Sequence, residues 1–172
     1  MVVRRERTKM KTLLKFFLGL FLVTGLSTAH GQTIYSFTDG LNAAKSQGKK
    51  IVINIYSDSD KWSQKMESDV YSQADIKDLL GSFIYIKLNA AGSESYDYKG
   101  KKYSAAELAK ALGLTSYPTH AFMTASGDVI KFKYNGVESV SFPGYVDAGD
   151  FKSILIYFRD GKYSDTDLST VL

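Results

Sequence analysis

The run Ile51-Val52-Ile53-Asn54-Ile55-Tyr56 constrains the fold of this chain more than any other stretch. It is mostly apolar and alternates poorly, so a strand there must be covered on both faces, as in a parallel or mixed sheet packed between helices. The residues that follow, YSDSDKWSQKMESDV from Tyr56 to Val70, read as a short polar turn and then a helix starting near Asp60. Such a junction is where many α/β folds place their chemistry, because a helix N-terminus presents free N–H groups at the carboxyl end of the strand. Here it holds Asp58, Ser59, Asp60, Lys61, Trp62 and Ser63, with no cysteine, histidine or glycine-rich loop.

Patterning on either side supplies the partners such a strand needs. Ser36 and Asp39 can cap a helix bearing Leu41, Ala43 and Ala44, with Gly48 as its stop. In the helix after the turn, Trp62, Met66 and Val70 recur at i, i+4 and i+8 and predict a packed side, leaving Lys65 and Glu67 to solvent. Ser72 and Asp75 can cap a further piece carrying Ile76, Leu79 and Leu80 up to Gly81, or the two pieces form one bent helix. Phe83 to Leu88 has strong strand composition. Asn89 to Lys102 reads as an exposed excursion with a hairpin turning at Lys99-Gly100-Lys101.

Ser104-Ala105-Ala106-Glu107 matches a capping box, and its helix ends at Gly113. Pro118, lacking an N–H, should stand just before the strand Ala121-Phe122-Met123 rather than within it. Ser126-Gly127-Asp128 signals a turn into a second strand, Val129 to Tyr134, paired antiparallel with the first. A short segment, Ser139 to Phe142, leads through Pro143-Gly144 to a last helix with Asp147 and Asp150 in its first turn and Phe151, Ile154, Leu155 and Phe158 on its buried face. Beyond Gly161 the tail is expected to be loosely packed.

The 172-residue length and 44% hydrophobic content suit one globular domain with a real core. The net charge of +4 is concentrated at one end: six basic residues against Glu6 give residues 1–31 a charge of +5, so the remainder sums to −1. A nucleic-acid partner loses its main support. Residues 1–31 have the order of a secretory signal peptide, basic through Lys15, apolar from Phe16 to about Val23, then small residues up to Ala29-His30-Gly31. Cleavage is expected after Gly31, or after Ala29, releasing a periplasmic or secreted protein. The apolar run is shorter than the roughly 20 residues a spanning helix needs, so no stable membrane span is expected after cleavage. The organisation is then a signal peptide (1–31), one domain (32–162) and a C-terminal tail (163–172). There is no cysteine anywhere, which excludes disulfides, thiolate ligands and thiol nucleophiles.

Taken in order, helix, strand, helix, strand, helix, strand hairpin and closing helix, with a right-handed crossover between the first two strands, give a three-layer α/β sandwich. Its sheet is mixed, of about four or five strands. The segments resemble those of the exported thioredoxin-like proteins over roughly residues 35–160. Members of that family carry Cys-x-x-Cys followed by Lys-Met-Glu after the first core strand, and a cis-proline before the third. This chain reads Asp60-Lys61-Trp62-Ser63-Gln64-Lys65-Met66-Glu67, and later Tyr117-Pro118-Thr119 after a Gly113-Leu114 turn.

By that resemblance Asp60 and Ser63 occupy the two thiol positions. Disulfide exchange needs a thiolate to attack and a second thiol to resolve, and neither replacement can serve. The resemblance further implies a peptide groove between the 58–63 turn and Pro118, bordered by Trp62, Tyr117 and Thr119, with no cofactor and no metal. The function expected is a redox-inactive envelope protein that binds an extended polypeptide as an adaptor or chaperone-like factor. The alternative is an oxidoreductase-related protein whose thiols another protein supplies; a third reading uses the tyrosine-rich loop Tyr96 to Tyr103 as the interaction surface. A hydrolytic Ser63–His120 pair aided by Asp58 or Asp60 is conceivable, but nothing marks an oxyanion hole and a satisfied strand histidine is simpler. Asp58 and Asp60 resemble the start of a calcium loop that lacks its later glycine and glutamate, and acids before a helix commonly cap it.

Overall fold

In the computed structural model, which describes residues 32–172, the Ile51 run is the central strand of a five-stranded sheet. The elements in chain order are β1 (Ile34–Tyr35), α1 (Phe37–Gln47), β2 (Ile51–Tyr56), α2 (Lys61–Met66), α3 (Ala74–Leu80), β3 (Ile84–Asn89), β4 (Ser95–Tyr98), β5 (Lys101–Ser104), α4 (Ala105–Ala111), β6 (Thr119–Met123), β7 (Phe132–Tyr134), β8 (Val137–Ser139), β9 (Ser141–Pro143) and α5 (Ala148–Arg159). The sheet order is β1-β3-β2-β6-β9. β1 and β2 run parallel to β3, with Ile51 opposite Ile84, while β6 is antiparallel to β2, with Asn54 opposite His120.

Both faces of β2 are covered, as its lack of alternation demands. Ile51, Ile53 and Ile55 pack with Phe37, Ala44, Leu108 and Leu112 beneath α1 and α4. Val52 faces the other way, into a larger cluster of Met66, Val70, Ile76, Leu80, Phe122, Phe151, Ile154 and Phe158 beneath α2, α3 and α5. The expected caps form. Ser36 accepts from Asp39 N and α1 stops at Gly48 in the left-handed region; Ser104 and Glu107 make the full capping box; Asp147 caps α5 by accepting from Asp150 N.

Three expectations are corrected. One is a cap: α2 and α3 are two pieces rather than one bent helix, α2 running into a π-type turn over Glu67–Tyr71, but α3 restarts after extended Gln73, which has no side-chain cap, so Ser72 caps nothing there. The strand beside β6 is also discontinuous. The Ser126-Gly127-Asp128 turn forms and Val129 bridges Met123, but Phe132–Tyr134 pairs with Val137–Ser139 instead, and Ser141–Pro143 takes the place next to β6. The competing signal is Asn135-Gly136, whose positive φ values of 51° and 77° suit a two-residue hairpin turn. β1, for which no strand was expected, has only two residues, too short for a pattern to show. Third, the segment after Gly161 is docked rather than loose. Leu168 is fully buried, and Asp167 accepts from Asn135 N and Gly136 N at 3.0 and 2.6 Å. The expected signal peptide lies outside the described residues.

The excursion before α4 is a regular hairpin, β4–β5, turning at Lys99-Gly100 with φ values of 51° and 75°. Tyr96 and Tyr98 set ring edges against Phe37 at 5.7 and 5.6 Å, so its tyrosines roof the α1 side of the core.

Candidate functional site

The turn at the carboxyl end of β2 is assembled from short-range hydrogen bonds. Asp60 N–H donates to Ser57 O, and the Asp60 carboxylate accepts from Ser63 N at 2.7 Å, which makes it the N-cap of α2. Asp58 is held from outside the turn, its carboxylate accepting from Asn89 Nδ2 at 2.6 Å and its carbonyl from Gln64 Nε2 at 2.8 Å. Both carboxylates are engaged in structure, and no group of three or more ligand-type residues suited to a metal occurs among the described residues.

Ser63 is 7% exposed, and its Oγ is buried without a partner. It borders a small pocket of about 120 Å³ between α2 and β3 that also involves Tyr56, Asp58, Gln64, Glu67 and Lys87. Lys87 pairs with Glu67 at 2.7 Å and sits over the Tyr56 ring at 4.9 Å. Burial, and then the neighbouring Asp58 charge, push the Tyr56 phenol up, so its hydroxyl stays protonated.

Ser63 and His120 form no hydrogen bond. His120 points into the α5 side of the sheet, fully enclosed, with Nε2 bonded to the Tyr71 hydroxyl and its ring 4.8 Å from that of Phe151. Burial depresses its pKa to about 4, offset in part by the Phe142 backbone, so the ring is neutral at neutral pH. The Phe142 backbone lies near it without the geometry of a full hydrogen bond, so among the described residues Nδ1 lacks a partner, as does Asn54 Oδ1 across the strand pair, and the expected satisfied histidine is satisfied on one side only. Asn54 Nδ2 reaches the Tyr85 hydroxyl at 3.3 Å. A neutral histidine with no link to the serine gives no activated hydroxyl, and the hydrolytic arrangement is not assembled.

The Tyr117-Pro118 peptide is cis. Pro118 is buried and its carbonyl accepts from Gly144 N at 2.7 Å; Thr119 is fully buried, its hydroxyl donating to Ser116 O at 2.6 Å. Of the four groove residues, then, Trp62 and Tyr117 reach the surface. The backbone N–H and C=O of Tyr117 have no backbone partner among the described residues, because the β6 ladder begins only at Thr119. Trp62, which the stripe would pack inward with Met66 and Val70 and the resemblance would set at the groove, is 45% exposed: at the first turn of α2 it overhangs the core, and its ring meets Tyr145 at 5.7 Å.

Sequence patterning missed Tyr145, Tyr71 and the bracing role of Met66. The Met66 sulfur accepts from Val146 N at 3.4 Å, tying α2 to the loop that carries Tyr145 past the cis-proline. Nothing in the local sequence announces that contact, which joins residues far apart in the chain. Asn54 did carry a signal, as the one polar residue in an apolar strand.

Comparison with known proteins agrees with this geometry. A thioredoxin-fold protein from Helicobacter pylori superposes with a TM-score of 0.59 at 22% identity, covering 72% of this chain and 80% of that one. A thioredoxin from Thermus thermophilus gives 0.53 at 18% identity, covering 74% and 87%. At these identities the likeness is one of fold. No curated protein matches the sequence. The family model of the thioredoxin-like domain matches residues 37–159, most of the chain and nearly all of the sheet and its helices, and the protein belongs to that family.

Proposed function

We infer that this is a redox-inactive thioredoxin-fold protein of the cell envelope that binds an extended polypeptide between the 58–63 turn and Pro118, as an adaptor or chaperone-like factor. One observation carries the reading: in a chain with no cysteine, the Tyr117 backbone has no backbone partner among the described residues, and a half-exposed Trp62 meets Tyr145, next to the Gly144 that bonds Pro118. An extended segment alongside Tyr117 would add main-chain hydrogen bonds, and the Trp62 and Tyr117 rings would supply flat amphipathic contact. Export rests on the order of residues 1–31; no helix among the described residues is long and apolar enough to cross a membrane. The pairing of Asp60 and Ser63 at the thiol positions supports binding without exchange.

The test is anisotropy of a dye-labelled, reduced and alkylated polypeptide titrated with the purified protein. Saturable binding is expected, weakened roughly thirtyfold or more in the Trp62→Ala, Tyr117→Ala double variant, the loss of a hot spot worth about 2 kcal/mol or more. Equal binding by the double variant overturns the groove. Insulin reduction above a protein-free control would overturn the redox-inactive half of the reading. Fractionation of expressing cells, with sequencing of the new N-terminus, checks export.

A further inference from the structure

Asn135 and Gly136 form the tip of the β7–β8 hairpin, both exposed and both with positive φ. An asparagine followed by glycine is chemically vulnerable, because glycine has no Cβ to keep its amide nitrogen away from the neighbouring side chain. What is unusual here is the amide's partner. Gly136 N donates to Asp167 Oδ2 at 2.6 Å, and Asn135 N donates to Asp167 Oδ1 at 3.0 Å.

Asp167 is fixed from its own side as well. Ser169 N and Ser169 Oγ both donate to Oδ1, at 3.0 and 2.7 Å, and Leu168 next to it is buried in the core. A parallel bridge joins Lys133 to Asp167, and the Tyr157 hydroxyl donates to Thr166 O at 2.7 Å. Hydrogen bonds from the Ser169 hydroxyl, and then from Gly136, hold the Asp167 carboxyl below its ordinary range and keep it ionised.

We propose that Asn135-Gly136 is a deamidation site, and that the docked Asp167 carboxylate holds the reaction back. In that reaction the Gly136 nitrogen gives up its proton to water or hydroxide and bonds to Asn135 Cγ. The side-chain nitrogen takes up a proton from water and leaves as ammonia, a five-membered succinimide remains, and water opens it at either carbonyl to aspartate or isoaspartate. Asp167 opposes the first step in two ways: its negative charge disfavours an amide anion beside it, and its hydrogen bond directs the N–H away from Asn135 Cγ. Once formed, either product puts a negative charge on the residue whose own N–H bonds Asp167, and isoaspartate lengthens the backbone by one carbon in a two-residue turn. The modification thus releases the hairpin from the C-terminal segment in one direction only.

The experiment is timed incubation at mildly alkaline pH, with mass mapping of the tryptic peptide spanning residues 134–152 and enzymatic assay of isoaspartate. Wild-type protein in denaturant is expected to lose ammonia at least tenfold faster than native wild type. Folded Asp167→Asn is expected to react roughly ten to a hundred times faster than native wild type, the range to which loss of a charge-assisted hydrogen bond converts. Equal native and denatured rates overturn the proposal without any variant. So does an Asp167→Asn rate equal to or below the wild-type rate, the slower outcome meaning that the carboxylate acts as a base.

Discussion

His120 shows what one residue can mean once its surroundings are known. In sequence it stood two residues beyond a proline, within reach of a serine in the resembled fold. In the structure it faces Tyr71, Asn54 and the Phe151 ring, and no carboxylate among the described residues shifts its titration. Its pKa of about 4, against 6.5 for an ordinary histidine, has a thermodynamic consequence of definite sign. The unfolded chain takes up the proton first, so stability is complete above pH 6.5 and falls as pH drops towards 4, by up to about 3 kcal/mol. Denaturant midpoints measured between pH 7.5 and 4.5 should show this slope, and His120→Gln should flatten it. An unchanged slope in the variant would mean that the ring is not held neutral. Lys65–Asp69 and Lys152–Asp75 are exposed pairs, and their carboxylates titrate below that window.

At the level of elements, the close seat of α1 on β3 depends on Gly40. A Cβ there would overlap the Ile86 side chain and approach Tyr35 Cβ at 3.3 Å. Gly40→Ala adds a good helix former yet should destabilise by about 1–3 kcal/mol through overpacking, read as a lower thermal midpoint. A neutral or raised midpoint would show that α1 can shift outward at little cost. The α2 region illustrates a different balance. The π-type turn at Glu67–Tyr71 adds a residue to the winding, which places Tyr71 beside His120 and keeps Val70 in the core, while Trp62 at the far end stays out over Tyr145. A regular i, i+4, i+8 stripe buries its first member only if the helix is uniform and the core extends that far.

For the whole molecule, the C-terminal segment closes the face that α5 and the β7–β8 hairpin leave open. Leu168 lies in one cluster with Phe132, Tyr157 and Phe158, and the Tyr163 ring stacks on Phe158 at 5.8 Å. Leu168→Ala should cost about 2–5 kcal/mol, as for other buried leucines, and should lower the unfolding midpoint of the whole domain rather than release a separate transition. A cost near zero would restore the expectation of a loose tail. Docking also ties the hairpin tip to the chain terminus through Asp167, so the chemistry of Asn135-Gly136 and the stability of the far end are coupled.

What the sequence by itself determined is local or compositional. Ser36, Ser104 and Asp147 cap helices because capping needs a side-chain oxygen within three residues of its N–H. The Ile51 run had to be covered on both sides because it had no polar face. The total absence of cysteine removed disulfide exchange before any fold was known. The tertiary structure alone decided which strand lies against β6, that the Tyr117 backbone has no backbone partner among the described residues, that Trp62 remains exposed, and that Leu168 is buried. Each of these depends on groups distant in sequence, such as Ser141 against Ala121, Val146 N–H on the Met66 sulfur, and Asp167 on Gly136. Asn135-Gly136 was passed over in favour of Ser126-Gly127-Asp128, and which turn carries the longer pairing was settled by what the two arms could bury. A local pattern states which conformations a segment tolerates; the choice among them belongs to the surfaces that must be covered elsewhere in the fold.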